Sequence, residues 1–303
     1  MTAESPQTNR SLRRRTPLSG AAFWRRLRGA VGWIWLVIVL LFIYAPILVI
    51  ASASVDPGEY IMNRAFLQFP PKGFTLHWYF NISPSMWLTI TNSLVLAACV
   101  SAASVVFGVP AALGIMRGSF AGRNVVSSLF RFPLQIPFIV VGVAFLQGSY
   151  VVAAATGINL TSSLGALFLA HLLVGIPYVI GATGSTLAQL SPRYDEAALT
   201  LGATRWRAFR RVTFPLILPG IFGGALFAFL VSFTDVTIAL FLTPQGYETF
   251  PVRVFNSIQN DLESSLPAAA TIVFFISAVA ILLLQRIAGM EAVLRSSGSK
   301  SDK

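Results

Sequence analysis

Long apolar segments separated by shorter polar stretches dominate the pattern of the chain. A helix crosses a bilayer with about 20 consecutive apolar residues. Segments close to that length lie at residues 31–54, 87–113, 129–152, 163–187, 216–242 and 266–287. The pattern therefore predicts an all-α polytopic membrane protein with about six transmembrane helices.

Composition supports the same class of protein. Of the 303 residues, 55% are hydrophobic and only 11% are charged, whereas a soluble domain carries about 25% charged residues. So much apolar matter also excludes a disordered chain. The single cysteine, Cys99, cannot form an internal disulfide. The two histidines are far apart in the sequence, so no metal site is predicted.

The cationic residues lie mostly in alternate loops. Of 22 lysines and arginines, 19 lie before the first segment, between the second and third, between the fourth and fifth, or at the end of the last. Cytoplasmic loops of membrane proteins carry such an excess. We therefore expect both termini to be cytoplasmic. The net charge of +11 could also indicate nucleic-acid binding, but arginines interspersed with apolar segments favour the membrane.

Three regions follow from this topology. Residues 1–30 are expected to form a basic cytoplasmic tail, residues 31–288 a transmembrane domain, and residues 289–303 a second cytoplasmic tail. A cleaved signal peptide is an alternative for the N-terminus, because small residues at 51–53 resemble a cleavage site. Its apolar stretch would be longer than the usual 7–15 or so residues, and cleavage would leave five spans.

The loop at residues 190–215 has an unusual pattern. Ser191 can cap a helix that has Pro192 at its first position, and Gly202 can end that helix. A basic amphipathic segment with Trp206 and Phe209 follows. This pattern suits a helix lying on anionic lipid, and it equally suits a docking element for a soluble partner.

The same loop resembles the EAA motif of ABC importer permeases. That motif reads E-A-A, three residues, G, nine residues, I-x-L-P. This chain has Glu196-Ala197-Ala198, then Gly202, then Val-Thr-Phe ending at Pro215. Val212 and Phe214 replace the family's Ile and Leu with other apolar residues. The resemblance implies that these residues form coupling helices that dock on an ATPase subunit.

Further stretches resemble the spermidine/putrescine-type, PotC-like permeases. They include residues 69–79, Asn92-Ser-Leu, and Ser-Phe-Thr234-Asp235, where the family usually has two adjacent acids. The resemblance covers roughly residues 30–290. It implies a type I ABC importer permease fold in the bacterial inner membrane, moving a polyamine or related small amine to the cytoplasm by alternating access.

The resemblance also implies partners. They are a second permease subunit of a different sequence, two ATP-binding cassette subunits and a periplasmic or extracytoplasmic substrate-binding protein. The chain itself has no G-x-x-x-x-G-K-[ST] loop, which P-loop enzymes use to cradle phosphates. We therefore expect a non-catalytic subunit without a cofactor, with ATP and Mg²⁺ bound by the partner ATPase. No nucleic-acid partner is expected.

Polar residues within the predicted spans are candidates for a substrate pathway. Asp235 is the only acid within a span, and a charge at that depth is costly, so its default interpretation is functional. The alternative is an Asp near the outer end of its span that is hydrated or paired with Arg253. Weaker candidates, which also fit hydrogen bonding between helices, are Thr234, Asn92, Gln135 and His171.

Other functions fit some of these observations. Six spans and one intramembrane acid also allow a secondary transporter or channel without an ATPase. A membrane-embedded enzyme or assembly factor is less favoured, because the sequence holds few convergent catalytic groups. Within the ABC importers, a phosphonate or ferric iron is the alternative substrate.

Overall fold

The computed structural model of the protein describes residues 19–58, 70–161, 163–191, 193–260 and 263–298. Its described residues form α-helices and no strand. The helices are α1 (Ser19–Ser54), α2 (His77–Phe80), α3 (Pro84–Arg117), α4 (Arg123–Arg131), α5 (Phe138–Thr156), α6 (Leu164–Gln189), α7 (Arg193–Thr200), α8 (Arg205–Ala208), α9 (Phe214–Thr234), α10 (Thr237–Leu242), α11 (Phe250–Gln259) and α12 (Leu266–Gly298). A 3-10 turn at Phe132–Gln135 follows α4, and a π-helical turn at Phe209–Thr213 joins α8 to α9.

Within these residues, five helical segments are long and apolar enough to cross a membrane. They are Gly29–Ser54, Pro84–Arg117, Phe138–Thr156, Leu164–Gln189 and Arg205–Thr234. The described apolar part of α12, Leu266–Leu282, is shorter. The predicted all-α membrane fold is confirmed.

The chain divides into two units, residues 1–50 and 51–303. The described part of the first unit belongs to α1, which begins at Ser19 and so includes residues 19–30 of the predicted basic tail. Its apolar side chains from Val31 to Tyr44 are exposed, Phe42 to 81%. Exposed side chains of this kind suit a lipid environment.

In the second unit, α3, α6 and α9 pack closely through glycines. A Cβ atom at Gly175 of α6 would lie 2.6 Å from the Ser104 Oγ of α3. One at Gly224 of α9 would lie 2.6 Å from the Cα of Val179 on α6. Only glycine allows backbones to approach so closely, as is typical of helix contacts in membranes.

The same contacts fix the directions of these helices. Gly108 on α3 faces Val179 on α6, four residues beyond the Ser104–Gly175 contact in each helix, so α3 and α6 run parallel. Gly220 of α9 faces Thr186 of α6, whereas Gly224 faces Val179, so α9 runs antiparallel to them. The ends of α3 and α6 and the start of α9 therefore share one end of the bundle, which we call the α7 end.

Two of the predicted spans are not continuous helices in the structure. The third span begins at Phe138 instead of residue 129, because Pro133 and Pro137 lack the N–H groups that a continuous helix needs and a 3-10 turn occupies this stretch. The fifth span is interrupted after Thr234, because Asp235 adopts an extended backbone and a new helix, α10, begins at Thr237.

Some predictions concern residues outside the described ranges. They are the terminal residues 1–18 and 299–303, Pro192 at the start of the loop helix, and residues 59–69 of the first long loop.

Candidate functional site

The predicted loop helix is present as α7 at the α7 end of the bundle. The Ser191 hydroxyl accepts a hydrogen bond from the Arg193 N–H at 3.4 Å, which caps the helix as predicted. Glu196 and Ala197 are exposed and Ala198 is half-buried. The acid-alanine-alanine sequence therefore faces largely away from the bundle.

Gly202 ends this helix with a left-handed turn. Its φ of +83° is a conformation that residues with a Cβ rarely adopt. The Ala203 N–H donates to the Ala198 carbonyl and the Gly202 N–H donates to the Leu199 carbonyl, each at 3.0 Å. These bonds satisfy carbonyls at the helix end. The motif glycine is thus required by the turn itself.

A second short helix, α8, follows the turn. The Thr204 hydroxyl caps it by accepting from the Arg207 N–H at 3.3 Å. The rings of Trp206 and Phe209 pack 5.6 Å apart. Through the π-helical turn, α8 continues into α9. Pro215, which has no backbone N–H, lies in the first turn of α9.

Apolar side chains are exposed on and beside α7. Leu201 is 89% exposed, and Tyr194 and Leu199 are also exposed, while no residue of α7 is buried. Exposed apolar side chains rimmed by charged residues are typical of protein interaction surfaces. The exposed side chains of α7 therefore form a candidate docking surface.

Sequence reasoning gave no role to Asp195, an acid in the first turn of α7. In the structure, its carboxylate forms an ion pair with Arg117 at the end of α3 and accepts a hydrogen bond from the Thr213 hydroxyl. The sequence carries no signal for this contact, because three helices, α4, α5 and α6, lie between Arg117 and Asp195 in the chain.

At the opposite end of the bundle, Asp235 lies in the break between α9 and α10. One carboxylate oxygen, Oδ2, accepts hydrogen bonds from the backbone N–H groups of Ile238 and Ala239 at 2.9 and 3.0 Å. The Nε2 of His171 lies 3.5 Å from the same oxygen, and both side chains are 2% exposed. The His171 Nδ1 donates to the Leu167 carbonyl at 2.8 Å. Two predicted pathway residues are therefore buried together.

The other predicted pathway residues are separated from this pair or lie beside it. Thr234 is exposed and its hydroxyl donates to the Leu230 carbonyl at 2.8 Å. Gln135 is exposed on the 3-10 turn between α4 and α5. In the sequence, Gln135 lies 100 residues before Asp235 at the α9–α10 break.

Asn92 is half-buried on α3 and contacts the segment before α11. Its amide donates to the Glu248 carbonyl at 3.0 Å, and its own carbonyl accepts from the Tyr247 hydroxyl at 3.0 Å. Burial raises the pKa of the Tyr247 phenol, and the nearby Cys99 thiol adds to the rise. The phenol therefore keeps its proton and can donate this bond.

The alternative pairing of Asp235 with Arg253 is wrong. Arg253 on α11 forms ion pairs with Glu248 and Glu263 instead. The two glutamates lie close to it in the chain, whereas the Asp235 carboxylate is taken up by the start of α10. The intramembrane acid is thus not neutralised by this arginine.

Comparisons with known proteins point to membrane transport. The family described as "Binding-protein-dependent transport system inner membrane component" matches residues 104–290. The putrescine transport system permease protein PotI of Escherichia coli (strain K12) is 31% identical over 246 residues, 79% of this chain and 85% of that protein. The spermidine/putrescine transport system permease protein PotC of Haemophilus influenzae is 28% identical over 253 residues, 82% of this chain and 93% of that protein.

A solved structure agrees on the fold. A chain in the crystal structure of a bacterial alginate ABC transporter, in complex with an alginate pentasaccharide-bound periplasmic protein, matches with a TM-score of 0.63. The two are 19% identical, and the match covers 90% of this chain and 97% of that one. The resemblance drawn from the sequence motifs is confirmed.

Proposed function

Because the chain belongs to the family of binding-protein-dependent transport system inner membrane components, we propose that it is the permease subunit of an ATP-driven importer of polyamines. The similarity to putrescine and spermidine/putrescine permeases over about four fifths of the chain carries the substrate class. A related small amine-bearing solute belongs to the same chemical class.

The α7 end supplies the contact with the ATPase. The exposed Glu196, Ala197 and Leu201 and the left-handed Gly202 present a short helix away from the bundle. A short amphipathic helix of this kind fits a groove on a soluble subunit. The Ala198 carbonyl accepts from the N–H that follows Gly202, and Pro215 lies where the loop enters α9. This loop therefore transmits the ATPase movement to the membrane helices.

ATP chemistry belongs to partners. The sequence has no phosphate-binding loop of the G-x-x-x-x-G-K-[ST] type, so two ATP-binding cassette subunits bind the ATP and Mg²⁺. A second permease subunit of different sequence completes the membrane part. The chain itself is a non-catalytic transport subunit without a cofactor.

The opposite end of the bundle receives substrate from an extracytoplasmic binding protein. Its loops lie at about residues 55–86 and 243–265. In the described part of the first loop, the Asp56 carboxylate accepts from the Gly58 and Lys72 N–H groups at 2.8 and 3.1 Å. The ion pairs of Arg253 stiffen the second loop. A structured surface of this kind suits transient docking of a soluble protein.

The substrate pathway passes the α9–α10 break. Thr234 is exposed beside the buried Asp235, so a cationic substrate that contacts Thr234 also meets the negative potential of the carboxylate. His171 and Asn92 fix the surrounding helices, and Gln135 lies along the path towards the α7 end. Alternating access then opens this path to one side at a time.

We propose that the protein lies in the bacterial inner membrane with both termini in the cytoplasm, and the arginine distribution supports this orientation. The described arginines of the α7 end include Arg117, Arg205, Arg207, Arg210 and Arg211. Positive residues favour the cytoplasmic side. The α7 end therefore faces the ATPase in the cytoplasm.

A mild-detergent purification of the chain from its native host tests this function. We expect a P-loop ATPase and a second permease to co-purify in fixed proportion, identified by mass spectrometry. A Glu196→Arg variant should lose the ATPase while keeping the second permease. Repeated recovery of the chain alone would instead favour a secondary transporter or channel, with α7 lying on lipid.

A further inference from the structure

The side chain of Asp195 joins α7 to the ends of two membrane helices. One carboxylate oxygen pairs with Arg117, the last residue of α3. The other accepts from the Thr213 hydroxyl at 2.5 Å, in the π-helical turn that leads into α9. The carboxylate of Asp195 thus bridges the end of one span and the start of another.

The rest of α7 is held only loosely. No residue of the helix is buried, and the Thr200 hydroxyl bonds back to the Glu196 carbonyl of the same helix. A cavity of about 360 Å³ lies beside this bridge, and its lining includes Leu113, Leu199 and Asp195. Apolar packing does not fill this space, so the Asp195 bridge is a direct polar link between α7 and the ends of the membrane helices.

The position of Thr213 adds to this geometry. Thr213 is buried, with 3% exposure, although it lies beside exposed arginines. It occupies a π-helical turn, a local departure from the α-helix that often lies at functional sites. Its hydroxyl therefore couples the carboxylate to the π-helical turn at the start of α9.

We infer that Asp195 is a positioning residue for coupling: through Arg117 and Thr213 it transmits displacement of α7 into α3 and α9. This inference rests on the proposed importer function. The ion pair is partly exposed, with side-chain exposures of 34% for Arg117 and 21% for Asp195. Such a pair adds little to the free energy of folding. We therefore assign the ion pair to the transmission of movement.

The test uses the full complex, with its ATPase and second permease, in proteoliposomes with the binding protein. The measured quantity is radiolabelled putrescine moved per ATP hydrolysed. We expect Asp195→Asn to lower this ratio by about fivefold or more while ATP hydrolysis continues, because a neutral amide holds Arg117 more weakly. Thr213→Val, which keeps the ion pair, should lower the ratio less.

Two further variants separate coupling from folding. Exchanging the charges, with Arg117→Asp and Asp195→Arg together, should restore the ratio to within about twofold of wild type, since the pair re-forms in reverse. Arg123→Gln is the matched control: this arginine lies near the same end, and its guanidinium donates to the Met116 carbonyl of α3. It should leave the ratio unchanged.

The outcomes distinguish the two claims. A wild-type complex that moves no putrescine with ATP overturns the proposed function, and this inference with it. A coupled wild type together with an unaffected Asp195→Asn variant overturns the inference alone. So does an Arg123→Gln variant that loses as much coupling as Asp195→Asn, or a charge exchange that restores nothing.

Discussion

Two aspartates at opposite ends of the bundle are held in different ways. Asp195 is partly exposed and its partners, Arg117 and Thr213, belong to separate elements. Asp235 is buried beside His171 of α6, and its hydrogen bonds go to the backbone of α10, which begins two residues after it. A carboxylate that joins separate elements can transmit movement between them, whereas one that caps its own helix fixes local structure.

The same contrast holds for the surroundings. The α7 end carries exposed apolar side chains and a cavity behind its helix. At the α9–α10 break, the buried residues Ile238, Ala239 and Leu242 pack into a cluster with α5 and α6. We therefore expect substitutions at the first end to change coupling and those at the second to change stability.

Removing the Asp235 carboxylate should have the largest effect on stability. Asp235→Ala leaves two buried N–H groups of α10 without an acceptor and removes the neighbour of His171. We expect a loss of about 3 kcal/mol in the free energy of unfolding, measured by thermal unfolding in detergent. Asp235→Asn, which keeps an oxygen acceptor, should lose less but still lower uptake of a cationic substrate. An Asp235→Ala protein as stable as wild type would contradict the structural role that distinguishes Asp235 from Asp195.

Stiffening the turn after α7 should have the largest effect on coupling. Proline cannot adopt a φ of +83°, so Gly202→Pro distorts the loop, and we expect putrescine uptake to fall about tenfold. Gly157→Pro is the matched control, since Gly157 ends α5 with a φ of +74° and a similar N–H bond. Equal losses of uptake in both variants would show that general strain, and not docking, is responsible.

A smaller effect is expected at Tyr247. Tyr247→Phe removes the hydroxyl that donates to the Asn92 carbonyl at 3.0 Å. The free energy of unfolding should fall by about 1 kcal/mol, the usual net value of one hydrogen bond. Chemical unfolding of the detergent-solubilised protein measures this loss. A change as large as that of Asp235→Ala would mean that this contact, and not the helix cap, dominates the opposite end.

The smallest effect on stability is expected at Asp195. Because the pair with Arg117 is partly exposed, Asp195→Asn should change the free energy of unfolding by about 0.5 kcal/mol or less. The same thermal unfolding measurement serves here. A loss comparable with that of Asp235→Ala would make Asp195 a structural residue and would erase the difference between the two ends.

The α7 end could be predicted from the sequence because its signals are local. A capping serine, two acids in the first turn, a glycine at the helix end and a run of arginines lie within one short stretch. Helix caps and turns depend on neighbouring residues, so these features appeared where expected. The long apolar segments likewise predicted the membrane helices.

The remaining features depend on contacts between distant residues. The sequence did not predict the break at Asp235. The stretch from Leu216 to Leu242 is mostly apolar, and this one acid with a few polar neighbours did not distinguish a broken helix from a continuous one. The contacts of Asp195 with Arg117 and of His171 with Asp235 are set by how α3, α6 and α9 pack. Hydrophobic patterns carry no information on such pairs.

Uptake of radiolabelled putrescine tests the central claim most directly. Proteoliposomes would hold the wild-type chain with its co-purified second permease and ATPase, with ATP on the α7 side and the binding protein on the opposite side. Putrescine should accumulate only when both ATP and the binding protein are present. Equal accumulation without ATP, or by the chain reconstituted alone, would contradict an ATP-driven importer.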